Sequence, residues 1–388
     1  MILKYIGRSF KRVCIQLVRR PMYFLLIILM PLLCCWFLMD LIKGGSVQRV
    51  PVGIVDLDNS IMSRQVSRTL NGFQQVNICR RYSNFAEARD AVQHGEVLGF
   101  FLIPENLEEE ALGGRQPVVS YYVNYAYYAP ASMQYKGFKT MSLLANGAIV
   151  QTALRTVGIP SEKIAATLQP YQTHVHMPGN PFINYDYYLN STFVPCFLSL
   201  FILLVTAFSL GMELKSGLSR QWLKTSGDSM FLALVGKLVP QTVLFTVVGW
   251  FIQWMMFRCY DFPLNCNPWN MLIAMFLLVV ANQSFAVLMY CFVPNFRYGT
   301  MLCTLLGMVS FSFAGFSLPQ EAMYPWVEAL GFAVPIKYYF LIMVDQALNG
   351  VDLYYSRFYY AALIGFTILP MLASWHLKKE CLNPVYVP

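Results

Sequence analysis

Tyr188–Arg220 reads YLNSTFVPCFLSLFILLVTAFSLGMELKSGLSR, and this stretch decides the fold class. Phe193 to Met212 carries no charged residue over about twenty positions. At ~1.5 Å rise per residue that length crosses a ~30 Å hydrocarbon core. Glu213, Lys215, Ser216, Gly217 and Arg220 follow at once, so the apolar helix ends in a charged turn. A polar segment of well over a hundred residues precedes this helix, and further apolar segments follow it.

Composition points the same way. Of 388 residues 57% are hydrophobic and 12% charged, about half the charged fraction of a soluble domain. The net charge of +8 does not form a nucleic-acid groove. Six of the 28 Lys and Arg lie in the first twenty residues, beside an apolar run, as cytoplasmic flanks of membrane helices do. The same cluster would attract anionic lipid headgroups. Ten cysteines show no C-x-x-C framework. Cys34, Cys35, Cys196, Cys291 and Cys303 lie in apolar runs and read as small hydrophobes. Cys259 and Cys266 flank a short loop assigned to the outer side, where a disulfide is left open.

From the N-terminus, Leu3, Ile6, Phe10, Val13 and Leu17 recur at helical spacing among Lys4, Arg8, Lys11, Arg12, Arg19 and Arg20. Residues 1–20 therefore read as an amphipathic helix on the inner membrane face. Pro21 opens the first span, Met22 to about Ile42, within a segment bounded at 21–43. Its apolar run is too long for a signal peptide and no A-x-A site follows, so it is expected to be a retained anchor.

Residues 44–187 are too polar to span. Val50–Asp56, Gln75–Tyr82, Val97–Ile103 and Val118–Tyr125 read as strands. Ile61–Leu70, Ala86–Gln93 and Asn106–Leu112 read as helices, the first opened by an Asp56–Ser60 turn. Alternating strands and helices predict a small α/β domain with a mixed sheet. Ala129–Thr156 carries one long helical pattern. A connector follows with Pro178, Pro181 and a His174-x-His176 pair that lacks an acidic or thiol partner nearby, so no metal is expected.

Residues 188–376 hold the remaining spans: 193–212, Phe231–Phe257, Trp269–Val293, Gly299–Leu318 and Phe358–Trp375. The coupling turn is bounded at 213–230. Between the last two spans, residues 317–355 are apolar but broken by Pro319, Pro325 and Pro335 and carry Glu321, Glu328, Lys337 and Asp345. Each such charge costs ~2.5–3.5 kcal/mol near the bilayer centre. Short re-entrant half-helices fit that better than a full span, and they would form an outer gate. The expected fold is thus an α-helical membrane protein of six spans, both termini cytoplasmic, with an inserted extracytoplasmic α/β domain. Lys378 and Lys379 hold a cytoplasmic tail, 377–388.

No catalytic signature is found. Gly236-Lys237 is followed by Leu238, not by Ser or Thr, and lies inside a span. G-x-S-x-G and H-E-x-x-H are absent. Any energy source is then a separate protein or an ion gradient. An ion-coupled carrier places ionisable groups at mid-membrane. Lys237 alone comes close, and a snorkelling lysine accounts for it equally well.

Four stretches resemble the permease subunits of type-2 ATP-binding-cassette exporters, the bacterial subfamily with a large outer domain between the first two spans. Val52–Ser60 with Ser63-Arg64 is similar to the family's VVDxDxSxxSR opening. Ala88–Pro104 is similar to its EAxxxLxxGxVxAVLVIP. His176–Pro181 with Tyr185 matches its Asn-Pro and Tyr approach to the second span. Glu213, Gly217, Gly236, Lys237 and Pro240 match RExGTxExL…GKxxP. Leu218, Arg220 and Trp222 depart from that pattern, where the family has Thr, an acidic residue and Leu.

The resemblance implies a non-catalytic permease in the bacterial inner membrane, paired with a second permease as homo- or heterodimer and driven by a separate cytoplasmic ATP-binding-cassette ATPase. ATP would be bound only by that partner, with no cofactor on this chain. Glu213, Lys215, Gly217, Arg220, Trp222 and Lys224 are the implied ATPase-coupling residues, with Lys237 and Pro240 at the inner end of the next span. Pro319, Glu321, Pro325 and Pro335 mark the outer gate. A periplasmic adaptor is a further partner by the same resemblance. Spans rich in Phe, Met, Leu and Trp suit an amphipathic or hydrophobic cargo, drug-like or lipid-like. The competing reading is a membrane-anchored assembly protein whose outer α/β domain recruits a partner without transport.

Overall fold

The computed structural model describes residues 2–41, 43, 49–72, 76–113, 115, 117–126, 131–132, 135, 138–139, 179–180, 184–315 and 322–382. The chain divides into two compact units, one of residues 1–43 with 177–388, the other of residues 44–176. The helix expected over 129–156, the connector with His174, His176, Pro178 and Pro181, and the gate residues Pro319 and Glu321 lie outside the described residues or almost wholly so.

In the second unit, β1 (Val50–Asp56), β2 (Val76–Tyr82), β3 (Gly99–Ile103) and β4 (Ser120–Val123) form one sheet in the order β2-β1-β3-β4. The first three strands run parallel and β4 pairs antiparallel to β3, the mixed sheet that the alternation predicts. Helices α3 (Ile61–Asn71), α4 (Phe85–Gln93) and α5 (Leu107–Leu112) connect the strands. Parallel strands need such crossovers, which cover both faces of the sheet. Val52, Ile54, Phe101 and Ile103 pack under α3 and α5 in one core, while Val55, Phe100 and Val97 pack against Ala88 and Ala91 of α4 in another.

The turn before α3 shows how sequence dictates local structure. The Ser60 side chain caps the helix by accepting from the Ser63 amide at 3.0 Å. The Asp56 carboxylate accepts from the Asn59 amide at 3.0 Å and from the Ser63 hydroxyl at 2.9 Å. Two side chains thus satisfy backbone donors that the strand-to-helix switch would leave bare.

The first unit is helical. α1 (Ile2–Arg19) leads into α2 (Pro21–Leu41), which contains a π-helical turn at Leu25–Leu29. After the inserted unit come α6 (Tyr185–Lys215), α7 (Ser219–Thr225), α8 (Met230–Cys259) and α9 (Pro268–Phe292). The last four are α10 (Phe296–Phe313), α11 (Pro325–Phe332), α12 (Pro335–Leu348) and α13 (Leu353–Leu382). Among the described residues five helices are long and apolar enough to cross a membrane: α2, α6, α8, α9 and α13. They become six if the pair α11 and α12, bent by 86°, makes one broken span.

The expected span Gly299–Leu318 corresponds to α10, whose 18 residues reach about 27 Å at ~1.5 Å each and open with Arg297 and Tyr298; its expected end beyond residue 315 lies outside the described residues. The last helix is longer than the span Phe358–Trp375, so Lys378 and Lys379 sit on α13. Cys259 and Cys266 are both free thiols, and burial pushes the Cys266 thiol above its ordinary range.

α13 packs along α9, α10 along α6, and α1 against α8. Polar side chains stitch the long helices together. Asn282 donates to the Ser199 hydroxyl at 3.0 Å, Gln241 to Ser209 at 2.9 Å and Gln253 to Tyr339 at 3.0 Å. In a lipid surrounding, close packing and such bonds hold helices together where the hydrophobic effect does not.

Candidate coupling site

The end of α6 makes a tight, satisfied C-terminus. Gly217 adopts φ +68°, and the Leu218 amide reaches back to the Glu213 carbonyl at 3.1 Å while the Gly217 amide bonds Leu214. This is the left-handed residue that commonly ends a helix, and glycine enters it without the Cβ penalty. The chain then starts α7, a helix that the sequence reading left inside a continuous turn. Gly227 and Asp228, at φ 69° and 58°, turn it into α8.

Three charges from three helices meet here. Glu213, with a side chain 4% exposed, accepts from Lys237 Nζ at 2.9 Å through Oε1 and from the Arg12 guanidinium at 2.7 Å through Oε2. Gln16 adds a longer bond to Oε1 at 3.3 Å. Lys237 is 1% exposed, and its Nζ lies 4.9 Å from the centre of the buried Trp222 ring. A lone charge at such a position would be expensive, so its neighbours are part of the fold. Lys237 does not snorkel: its charge turns inward onto Glu213.

Each predicted coupling residue can now be placed. Glu213 and Trp222 are buried and hold α6, α7 and α8 together; Trp222 packs with Leu223 in the core beside Leu210, Tyr290 and Leu377. Lys215, Gly217, Arg220 and Lys224 are exposed. The Lys215 ammonium stands 5.0 Å from the Phe296 ring, over the start of α10. Arg220 Nε donates to the Leu382 carbonyl at 2.6 Å, and Ser219 Oγ to the Cys381 carbonyl at 3.0 Å, so the end of α13 also joins the site. Pro240 is buried inside α8, one turn beyond Lys237.

The gate residues divide. Pro325 and Pro335 each stand at the first position of a helix, α11 and α12, where a missing N–H costs nothing. Pro325 is exposed and Pro335 buried. The buried Lys337 ammonium lies 3.2 Å from the Phe332 ring centre.

The sequence pattern marks Arg12 only as part of an amphipathic helix and gives Gln16 no role. The available signal was Lys237 itself, since a cation inside an apolar span needs an acid within reach and Glu213 is the nearest at a span end. The helix spacing could not show that α1 brings a second cation to the same carboxylate.

A family model described as "ABC-2 family transporter protein" matches residues 22–376, most of the chain. No curated protein matches the chain.

Proposed function

Because the chain belongs to the ABC-2 transporter family, we propose that it is the permease subunit of an ATP-driven exporter and that the Arg12–Glu213–Lys237 cluster transmits the force. The family implies an ATP-binding-cassette partner, which here binds and hydrolyses the ATP; this chain needs no cofactor of its own. The positive flanks favour a cytoplasmic position for α1, the α6–α7 turn and the end of α13 in a bacterial cell, with the α/β unit outside it.

The single observation that carries the reading is the junction of α1, α6 and α8 on one buried carboxylate, followed in the chain by an exposed cationic rim of Lys215, Arg220 and Lys224. A load on that rim reaches two long spans and the N-terminal helix together, because the buried bonds cannot lengthen without stranding a charge. Lys215, Arg220 and Lys224 suit an acidic groove on the ATPase. Two such permeases, identical or homologous, would enclose the path of an amphipathic or hydrophobic cargo, and a periplasmic adaptor would meet the outer unit. The bent pair α11 and α12 would serve as the outer gate.

The test is copurification of a coexpressed ATP-binding-cassette ATPase with this chain, followed by ATP hydrolysis with and without it. The exporter reading expects a stable complex with faster hydrolysis, and loss of that stimulation in R220E/K224E. An isolated chain that binds no ATPase would instead favour the membrane-anchored assembly protein.

A further inference from the structure

A groove of about 590 Å³ runs between α8, α9 and α13, open along one flank. That volume lies within the ~300–1,000 Å³ of small-molecule sites. Its walls are almost wholly apolar, with Val243, Phe276 and Met371 at the exposed rim. Among the described residues none of its lining side chains is charged.

Among the polar side chains of that lining, Thr242, Gln283, Ser284, Thr367 and Ser374, Gln283 stands out. Gln283 lines the groove, is 1% exposed, and among the described residues its Nε2 has no hydrogen-bond partner. Its Oε1 lies 2.6 Å from the Thr242 hydroxyl, which also lies 3.0 Å from the Leu238 carbonyl. The hydroxyl has one proton and the carboxamide two, so whichever way the amide is turned at least one N–H of Gln283 stays unpaired. A buried donor left bare carries a desolvation cost, a standing drive to take up an acceptor.

Depth narrows what that acceptor belongs to. The midpoint of α9 (Pro268–Phe292) is Val280, so Gln283 sits three residues, about 4.5 Å, from it along the axis. In a bilayer with a ~30 Å core the ester groups of lipids begin ~15 Å from the midplane. An annular phospholipid at its normal depth therefore offers Gln283 only hydrocarbon. A charged molecule would meet no countercharge in the groove.

We propose that this groove is a binding site for an uncharged, largely hydrocarbon molecule bearing one hydrogen-bond-accepting oxygen, such as a ketone or ether, which docks against the Gln283 amide. The site is independent of the exporter reading, since occupancy is measured on the resting chain without an ATPase.

The experiment uses the full chain in nanodiscs and an alkyl-substituted benzophenone, which is at once a neutral ketone and a photolabel. The expected result is saturable labelling confined to peptides of α8, α9 and α13. Competition by a second diaryl ketone should exceed that by the matching diphenylmethane, which lacks the carbonyl, by about fivefold. Q283L should erase that preference. V243W, which places bulk at an exposed rim position and leaves the buried layer intact, should abolish labelling and carries the test if Q283L aggregates. Equal competition by ketone and hydrocarbon, labelling that never saturates, or a groove labelled only after a second copy of the chain dissociates would each overturn the proposal.

Discussion

Glu213 shows how little a charge pattern says about exposure. It follows Met212 at the end of an apolar helix, the usual place for a solvated residue, yet it is 3% exposed and holds two cations. Removing one partner leaves a buried carboxylate under-compensated, and such losses cost about 3–5 kcal/mol. K237M should therefore lower the thermal midpoint sharply in a size-exclusion melting assay. The double variant E213Q/K237M removes both buried charges and should melt above K237M alone; an additive loss would mean that the pair is not coupled. At the same turn, G217A meets no atom within 4 Å, so its cost is the left-handed backbone alone, about 1–2 kcal/mol. Circular-dichroism melts of G217A against a larger residue at the same site check this, because a steric origin would make the larger residue much worse.

At the scale of elements, α3 depends on its first turn. S60A removes the hydroxyl that accepts from Ser63 and should cost about 1 kcal/mol, seen as faster hydrogen exchange over residues 61–71 with the helical unit unchanged. Gly53 in β1 makes room of a different kind. A Cβ there would come 2.5 Å from the Tyr82 ring on the neighbouring strand, so that ring would have to move. The transmembrane helices are tied by single polar contacts rather than ladders. One such contact averages about 0.6 kcal/mol and reaches ~1–2 in model helices. N282L should accordingly cost only about 1 kcal/mol, the amount by which its bond to Ser199 exceeds an apolar contact.

At the scale of the whole molecule the sidedness is a prediction that labelling decides. Cys79 and Cys259 are exposed, whereas Cys381 is buried and would stay silent on either side of a membrane. Ser216 is exposed at the charged turn, so S216C reports that face instead. A membrane-impermeant maleimide applied to intact cells should label Cys79 and Cys259. With those two changed to Ser, S216C should label only after permeabilisation. Labelling of S216C in intact cells would place the charged turn outside and remove its access to ATP-driven partners.

The sequence by itself determined the long apolar helices, the inserted α/β unit with its mixed sheet, and the charged turn after Met212. These are local or periodic properties: length of an apolar run, alternation of strand and helix, and caps such as Asp56 and Ser60 act between residues close in the chain. It missed the helix Ser219–Thr225, because seven residues with Arg220 and Lys224 on an exposed side carry little periodic signal. Only the tertiary structure decided which charges meet. Arg12 and Glu213 are 201 positions apart and Glu213 and Lys237 are 24 apart, and no spacing rule joins groups that come together only when three helices pack. The same holds for Gln283: a glutamine in an apolar helix is legible in sequence, but whether its amide is paired or bare depends on Thr242 and on the groove that α8, α9 and α13 leave between them.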